Sequence, residues 1–373
     1  MARLTARTAS PGARHRPLGR LERSVAGVED RPRYADAGGV KIAYQVHGEG
    51  CDLVMIPGFV SHLELQWRDA GFRRFVRSLA RVARVVRFDK RGTGLSDPVT
   101  DVPGLTERMR DLTAVIDAAG CRRPFLFGFS EGGPIAIHMA VARSEVVRGL
   151  VLYGTSPRRP PAGAVEQLRA AVDHWGEGHT GPLFAPGEGD HARSERAAFE
   201  RAAASPAMAR ALVDSLAKVD VTDLLAEVHV PTLIVHRRDE FIPVADAQMM
   251  ADAIPGARLV VLDGQDHLPW VGDSDSIVAE VSSFLATSER ADGPRQATAS
   301  RAPRSPRPAS GWASLSPAER RVAVLVGQGL TNAEVSERLF ISRYTVETHL
   351  KRIFARLGIT SRTELAAVVV RNT

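Results

Sequence analysis

Three boxes of the form Ser/Thr-x-x-Glu crowd into the last sixty residues: Ser316 to Glu319, Thr331 to Glu334 and Ser361 to Glu364. Each pairs a helix-start acceptor with a carboxylate three residues on, satisfying amides that an isolated helix start leaves orphaned. One such cap is worth about 1 kcal/mol, and three at this spacing commit the segment to short helices. The stretch from Ser342 to Gly358 carries Val346, Leu350, Ile353 and Leu357 at intervals of four, three and four, a single apolar stripe. Gly358 stands where a left-handed residue ends a helix at least cost. Opposite the stripe fall Tyr344, Thr348, Lys351 and Ala355, flanked by Glu347 and Arg352. That face offers cations for phosphates and short polar groups for base edges. A capped helix over residues 331–339 precedes it by a three-residue connection, which is helix-turn-helix spacing.

Residues 313–371 resemble the C-terminal DNA-binding domain of LuxR-type transcription regulators. The resemblance runs through Leu315-Ser316-Pro317-Ala318-Glu319-Arg320, Gly329-Leu330-Thr331-Asn332-Ala333-Glu334-Val335 and Ile341-Ser342-Arg343-Tyr344-Thr345-Val346. It continues to Leu357-Gly358-Ile359-Thr360-Ser361-Arg362-Thr363-Glu364-Leu365. It implies that Glu347, Thr348 and Lys351 face bases, that Thr345, Arg352 and Arg362 lie near phosphates, and that the last helix pairs with a second subunit. The partner implied is double-stranded DNA, bound as a homodimer. Glu347 departs from the family, where Lys is frequent, so the operator cannot be borrowed from the relatives.

The chain of 373 residues is long enough for two domains, and its hydrophobic content of 44% supports a sizeable core. Its net charge of +6 is uneven: residues 1–33 carry +5, 289–312 carry +3, 313–373 carry +4, leaving −6 for the middle. Basic ends around an acidic body fit a DNA-contacting tail on a domain that does not touch DNA. Cys51 and Cys121 have no paired spacing, so neither a disulfide framework nor a zinc site is expected. No metal or other cofactor is expected either. No apolar run is long enough to cross a membrane, and no signal-peptide core precedes the first strand. The expectation is a cytoplasmic protein. Its plan is a disordered basic arm (1–33), an α/β domain (34–288), a Pro/Ser/Arg linker (289–312) and the helical module (313–373).

Within 34–288, β-branched runs at 40–46, 53–56, 84–88, 125–127, 150–153, 232–236 and 258–262 alternate with helical patterns at 72–83, 106–119 and 133–142. Such alternation predicts a mainly parallel sheet covered on both faces, with chemistry at the carboxyl edge of its strands. Ser130 stands at that edge, in Gly128-Phe129-Ser130-Glu131-Gly132, a strand–turn–helix that exposes a strained nucleophile. A serine hydroxyl needs a base to take its proton. Asp239 and His267 each follow a strand in the order serine, acid, histidine, and are the expected partners. Asp263 and Asp266 are alternatives for the acid, Asp266 being better read as a loop-shaping residue. The oxyanion donors are expected to be the backbone amides of Glu131 and Phe59. The Glu131 side chain is left to polar contact or substrate discrimination, and His229 and His236 to structural roles.

These residues, with Phe88-Asp89-Lys90-Arg91-Gly92-Thr93-Gly94-Leu95-Ser96, make 34–288 similar to the α/β-hydrolase superfamily. The resemblance implies the α/β-hydrolase fold with a helical cap at about 155–225, and architectural roles for Asp89 and Arg91. Serine at the nucleophile position argues against the haloalkane and epoxide branches. Two functions follow as expectations. One is a transcription regulator whose hydrolase-fold domain senses, and turns over, a small ester-type molecule. The other is an esterase- or lactonase-like serine hydrolase with an auxiliary DNA-binding tail.

Overall fold

The computed structural model describes residues 31–292 and 311–372, apart from 161, 190, 191, 316 and 340–342. The expected basic arm, most of the expected linker, and the capping serines Ser316 and Ser342 therefore lie outside the described residues.

The sheet is built from β1 (Arg33–Asp36), β2 (Lys41–His47), β3 (Cys51–Ile56), β4 (Ala83–Phe88), β5 (Phe125–Phe129), β6 (Gly149–Tyr153), β7 (Thr232–Arg237) and β8 (Arg258–Leu262). Its order is β1-β2-β4-β3-β5-β6-β7-β8. The pairs β1–β2 and β2–β4 are antiparallel, and every later pair is parallel. Parallel strands are buried on both faces, which is why β6 and β7 read as unbroken buried runs rather than alternating ones. β1 has no counterpart among the expected strands, because Arg33-Tyr34-Ala35-Asp36 is too short and too polar to signal itself. It is held by its register against β2, Tyr34 facing Ala43 and Ala35 facing Ile42.

Helices α1 (Leu63–Arg68), α2 (Ala70–Leu79), α3 (Leu105–Ala118) and α4 (Gly132–Ala142) connect the first six strands. The helical pattern expected over 72–83 ends early, at Leu79, since β4 already begins at Ala83. α4 is buried from Gly132 through Val141, the signature of a helix inserted in a core rather than lying on a surface. Between β6 and β7 lie α5 (Ala162–Asp173), α6 (Gly181–Phe184), α7 (Arg193–Ala203) and α8 (Pro206–Leu216). They form a cap with its own small core, in which Leu168, Val172, Leu212 and Val213 pack with Phe59 from below. α9 (Val244–Ala253) and α10 (Ser274–Asp292) complete this body.

The C-terminal part is four helices: α11 (Pro317–Gly327), α12 (Asn332–Leu339), α13 (Arg343–Leu357) and α14 (Arg362–Asn372). Val346, Leu350 and Ile353 of the expected stripe are buried with Val322, Val326, Val335, Leu365 and Val369, and Leu357 packs at their edge. Among the described residues, no helix is long and apolar enough to cross a membrane.

Candidate active site and nucleic-acid interface

Ser130 follows β5 with φ of 52°, the single non-glycine residue at positive φ among those described. A non-glycine residue there is strained by about 1–3 kcal/mol and persists only where its surroundings over-determine it. Here they do. Ser130 N donates to Tyr153 O (3.0 Å), while Ser130 O accepts from Gly133 N (3.0 Å) and Thr155 Oγ1 (2.6 Å). The flanking glycines let strand and helix close around the turn: a Cβ on Gly128 would lie 2.8 Å from Gly133 Cα. A Cβ on Gly133 would collide with the Thr155 side chain.

His267 donates or accepts at 2.8 Å between Nε2 and Ser130 Oγ, and its Nδ1 meets a carboxylate oxygen of Glu240. The expected acid, Asp239, is not that partner. Its side chain is exposed, and its backbone N–H is spent on Gly264 O (3.1 Å). The turn after β7 sends position 239 to solvent and position 240 inward, and glutamate's extra methylene spans the remaining distance. Glu240 is 8% exposed and His267 2%. The other Glu240 oxygen lies 3.2 Å from His236 Nδ1, whose Nε2 sits 2.9 Å from Ile242 O. His236, assigned to structure by its sequence context, thus lies beside this carboxylate with its own ring placed by Ile242 O. Phe129 and Phe184 flank the His267 ring at 5.2 and 5.5 Å.

Arg237 holds the loop that carries His267, and nothing in its strand context announces it. Its buried guanidinium donates to Asp266 O (2.8 Å), Leu268 O (3.2 Å), Val271 O (2.6 Å) and Asp273 O (3.1 Å). Asp266 shapes the same loop, accepting from Gly187 N at 2.8 Å.

On the opposite side of Ser130, a Cβ on Gly58 would lie 3.1 Å from Ser130 Cβ, so the 58–59 backbone passes directly beside that serine. Lys90 ties this loop down: its Nζ donates to Gly58 O (2.7 Å), Phe59 O (2.8 Å) and Glu131 Oε2 (2.6 Å). The second Glu131 oxygen pairs with Arg108. The Glu131 side chain is therefore turned into a buried ion cluster and does not line the cavity. Burial pulls the Lys90 ammonium down to about 8 against the raising effect of Glu131. For Glu131, burial works upward, but Arg108 and Lys90 outweigh it and hold the carboxyl below its ordinary value. Asp89 accepts from Leu63 N (3.1 Å) and Leu95 N (2.9 Å), and Arg91 grips Asp111 with two nitrogens, both architectural roles.

Above Ser130 lies a cavity of about 670 Å³, walled by Phe59, Phe129, Trp175, Phe184 and Trp270, with Arg68, Asp69 and Arg196 also on its lining. Charged side chains, Glu188, Glu195 and Glu200 among them, share this lining with the aromatic walls and the Ser130 hydroxyl.

In the helical module, Thr331 N donates to Glu334 Oε2 (2.7 Å) and Glu334 N to Thr331 Oγ1 (3.2 Å), a complete reciprocal box. Glu364 N donates to Ser361 Oγ (3.2 Å), but the Glu364 carboxylate reaches back to Thr360 N (2.9 Å) rather than to the cap residue. Glu319 accepts from Arg356 Nη1 (2.6 Å), linking α11 to α13, while its expected cap partner Ser316 lies outside the described residues. Glu347, Lys351 and Arg352 are exposed on α13. The side chains of Thr345 and Thr348 lie outside the described residues. Arg362 is exposed but engaged, donating to Asn332 Oδ1 (2.7 Å) and Leu330 O (2.6 Å), so it pins the start of α12.

Residues 53–281 match the profile of the "Alpha/beta hydrolase family", and residues 313–369 that of "Bacterial regulatory proteins, luxR family". A protein of Mycobacterium bovis named as an HTH-type transcriptional regulator is 49% identical over 65 residues, 17% of this chain and 7% of that protein. The chain thus spans a small fraction of the length of such regulators. A protein of Azorhizobium caulinodans named as the carbamate hydrolase RutD is 27% identical over 247 residues, 63% of this chain and 91% of that one. A solved hydrolase from Pseudomonas aeruginosa superposes with a TM-score of 0.58 at 25% identity, covering 68% of this chain and 98% of that structure. With its strained serine, its mainly parallel sheet and its closing four-helix module, the chain belongs to the α/β-hydrolase family and carries a C-terminal LuxR-type helix-turn-helix domain.

Proposed function

We propose that the protein is a one-component, DNA-binding transcription regulator of the cytoplasm, whose hydrolase-fold domain binds and hydrolyses a small ester or lactone. The observation that carries the reading is the fusion itself: a poised Ser130–His267 pair and an exposed recognition face on α13 in one chain. In the cavity, His267 Nε2 takes the Ser130 proton as the oxygen attacks the carbonyl. The Phe59 and Glu131 amides receive the developing oxyanion, and Glu240 steadies the imidazolium. Water then releases the acyl group by the same route. A homodimer places two α13 helices on successive half-sites, since one short helix covers too few base pairs to be selective. Val370, 79% exposed on α14, offers an apolar contact for that pairing.

Gel-shift titration on the protein's own upstream DNA tests the regulator reading. Lys351→Ala is expected to weaken specific binding by about tenfold or more, as for a lost base or phosphate contact. Absence of specific binding at every salt concentration would refute it. The intact nucleophile favours a second reading, a hydrolase with an auxiliary tail, which predicts brisk ester turnover with no transcriptional response.

Lys90 supplies a pH signature. Its folded pKa of about 8 lies below the ordinary 10.5, so the unfolded chain holds this proton more tightly. The Lys90 contribution to stability therefore grows as pH rises from about 8 towards 10.5. Activity moves the other way: loss of the ammonium slackens the 58–59 loop, so ester turnover falls above pH of about 8. Lys90→Met is expected to lower kcat about 10- to 100-fold with little change in KM, and to erase that alkaline limb. A pH–rate profile of both proteins checks it.

A further inference from the structure

We propose that the cap carries a divalent transition-metal site formed by His174, Glu177 and His179, of the kind that takes Zn²⁺. The three ligand atoms lie within 4.8 Å of one another. Glu177 Oε2 is 3.6 Å from His174 Nδ1 and 3.4 Å from His179 Nε2. Two donors at bonding distance from one Zn²⁺ sit about 3.0–3.4 Å apart, so small side-chain rotations complete the geometry. The two imidazoles stack with centroids 4.7 Å apart and an interplanar angle of 23°.

The loop that presents these groups is built, not loose. Gly176 and Gly178, at φ of 89° and 82°, alternate with the segment's ligand residues. The carboxylate of Glu200, itself 1% exposed, accepts from Gly176 N (2.9 Å), Gly178 N (2.8 Å), Thr180 N (3.2 Å) and Thr180 Oγ1 (2.7 Å). Four bonds to one buried carboxylate fix the loop before any ion arrives, which lowers the ordering cost of binding. Arg193 Nη2 lies 2.7 Å from His179 Nε2. An arginine can only donate, so that nitrogen is the unprotonated acceptor of the ring, its lone pair at present turned to the guanidinium, whose charge and hydrogen bond an incoming cation must displace. The metal displaces it into solvent.

Imidazole and carboxylate together suit Zn²⁺ and its late first-row neighbours rather than Mg²⁺ or Ca²⁺, which prefer all-oxygen shells. The fourth position would be filled by water. Within this same loop, Trp175 packs edge-on against Phe59 at 6.0 Å, and Trp175, Thr180 and Glu200 all line the cavity. A metal bound here staples the cavity wall. The inference does not depend on hydrolysis or on DNA binding.

Calorimetric titration of Zn²⁺ into the full-length protein tests it, with the His174→Ala/His179→Ala double variant and Glu177→Gln alongside. Wild type is expected to bind one more Zn²⁺ per chain than the double variant. Glu177→Gln is expected to weaken that site about tenfold or more, and Mg²⁺ and Ca²⁺ to leave it unfilled. Zn²⁺ should also raise the melting temperature of wild type but not of the double variant. All three side chains are partly or largely exposed, and matched melting curves without metal establish that the variants fold. Equal Zn²⁺ stoichiometry and affinity in wild type and double variant would overturn the proposal, as would no Zn²⁺ binding by wild type.

Discussion

Glu240→Gln is expected to lower kcat on a p-nitrophenyl ester by about 10⁴-fold, while Asp239→Asn leaves it within about twofold. The two residues are adjacent, so the contrast isolates geometry from composition. Glu240 is buried against His267 Nδ1 and His236, and Asp239 is exposed. Replacing the carboxylate by an amide keeps the shape but removes the charge that fixes the histidine tautomer and stabilises the imidazolium. Ser130→Ala sets the floor of the same experiment, because without the hydroxyl only binding and oxyanion stabilisation remain. Equal losses at positions 239 and 240 would contradict this assignment of the acid.

The second large effect concerns stability. Arg237→Met is expected to destabilise the hydrolase-fold body by about 3–5 kcal/mol, because four carbonyl acceptors of the 266–273 segment, three of them in buried contacts, lose their donor together. Methionine preserves most of the stem volume, so a cavity contributes little. The same variant should lose ester turnover out of proportion to its stability, since His267 sits inside the released segment. Denaturant unfolding monitored through the tryptophans, with activity measured well below the midpoint, checks both parts. A loss of less than about 1 kcal/mol would mean that solvent or neighbouring amides replace the guanidinium.

What the sequence disclosed and what it hid divide along physical lines. Strand positions were legible because buried parallel strands are near-continuous apolar runs, as in Phe125–Phe129 and Thr232–Arg237. The strained turn at Ser130 was legible because the glycines around it are demanded by close backbone approach. The carboxylate that meets His267 was expected in the right turn but one residue early, because outside a strand no periodicity dictates which side chain faces inward. Glu131 was placed at the oxyanion turn, but its burial against Lys90 and Arg108 is a long-range ion cluster, invisible to local patterning. Arg237 lay just past the strand expected at 232–236 and drew no reading, although it is 1% exposed. In the C-terminal module the stripe on α13 was fully legible, since four-three-four spacing has one structural meaning. Arg362 was assigned to phosphates by resemblance, and its bonds to Asn332 and Leu330 show a second, internal duty.

The central claim is that occupancy of the cavity and DNA binding belong to one mechanism. Fluorescence anisotropy of the protein's upstream duplex, titrated at fixed salt before and after a fluorophosphonate is attached to Ser130, tests it most directly. The account predicts specific binding whose affinity changes by about fivefold or more once Ser130 is modified, with Ser130→Ala insensitive to the reagent. Specific binding that is identical in the modified and unmodified protein would contradict it.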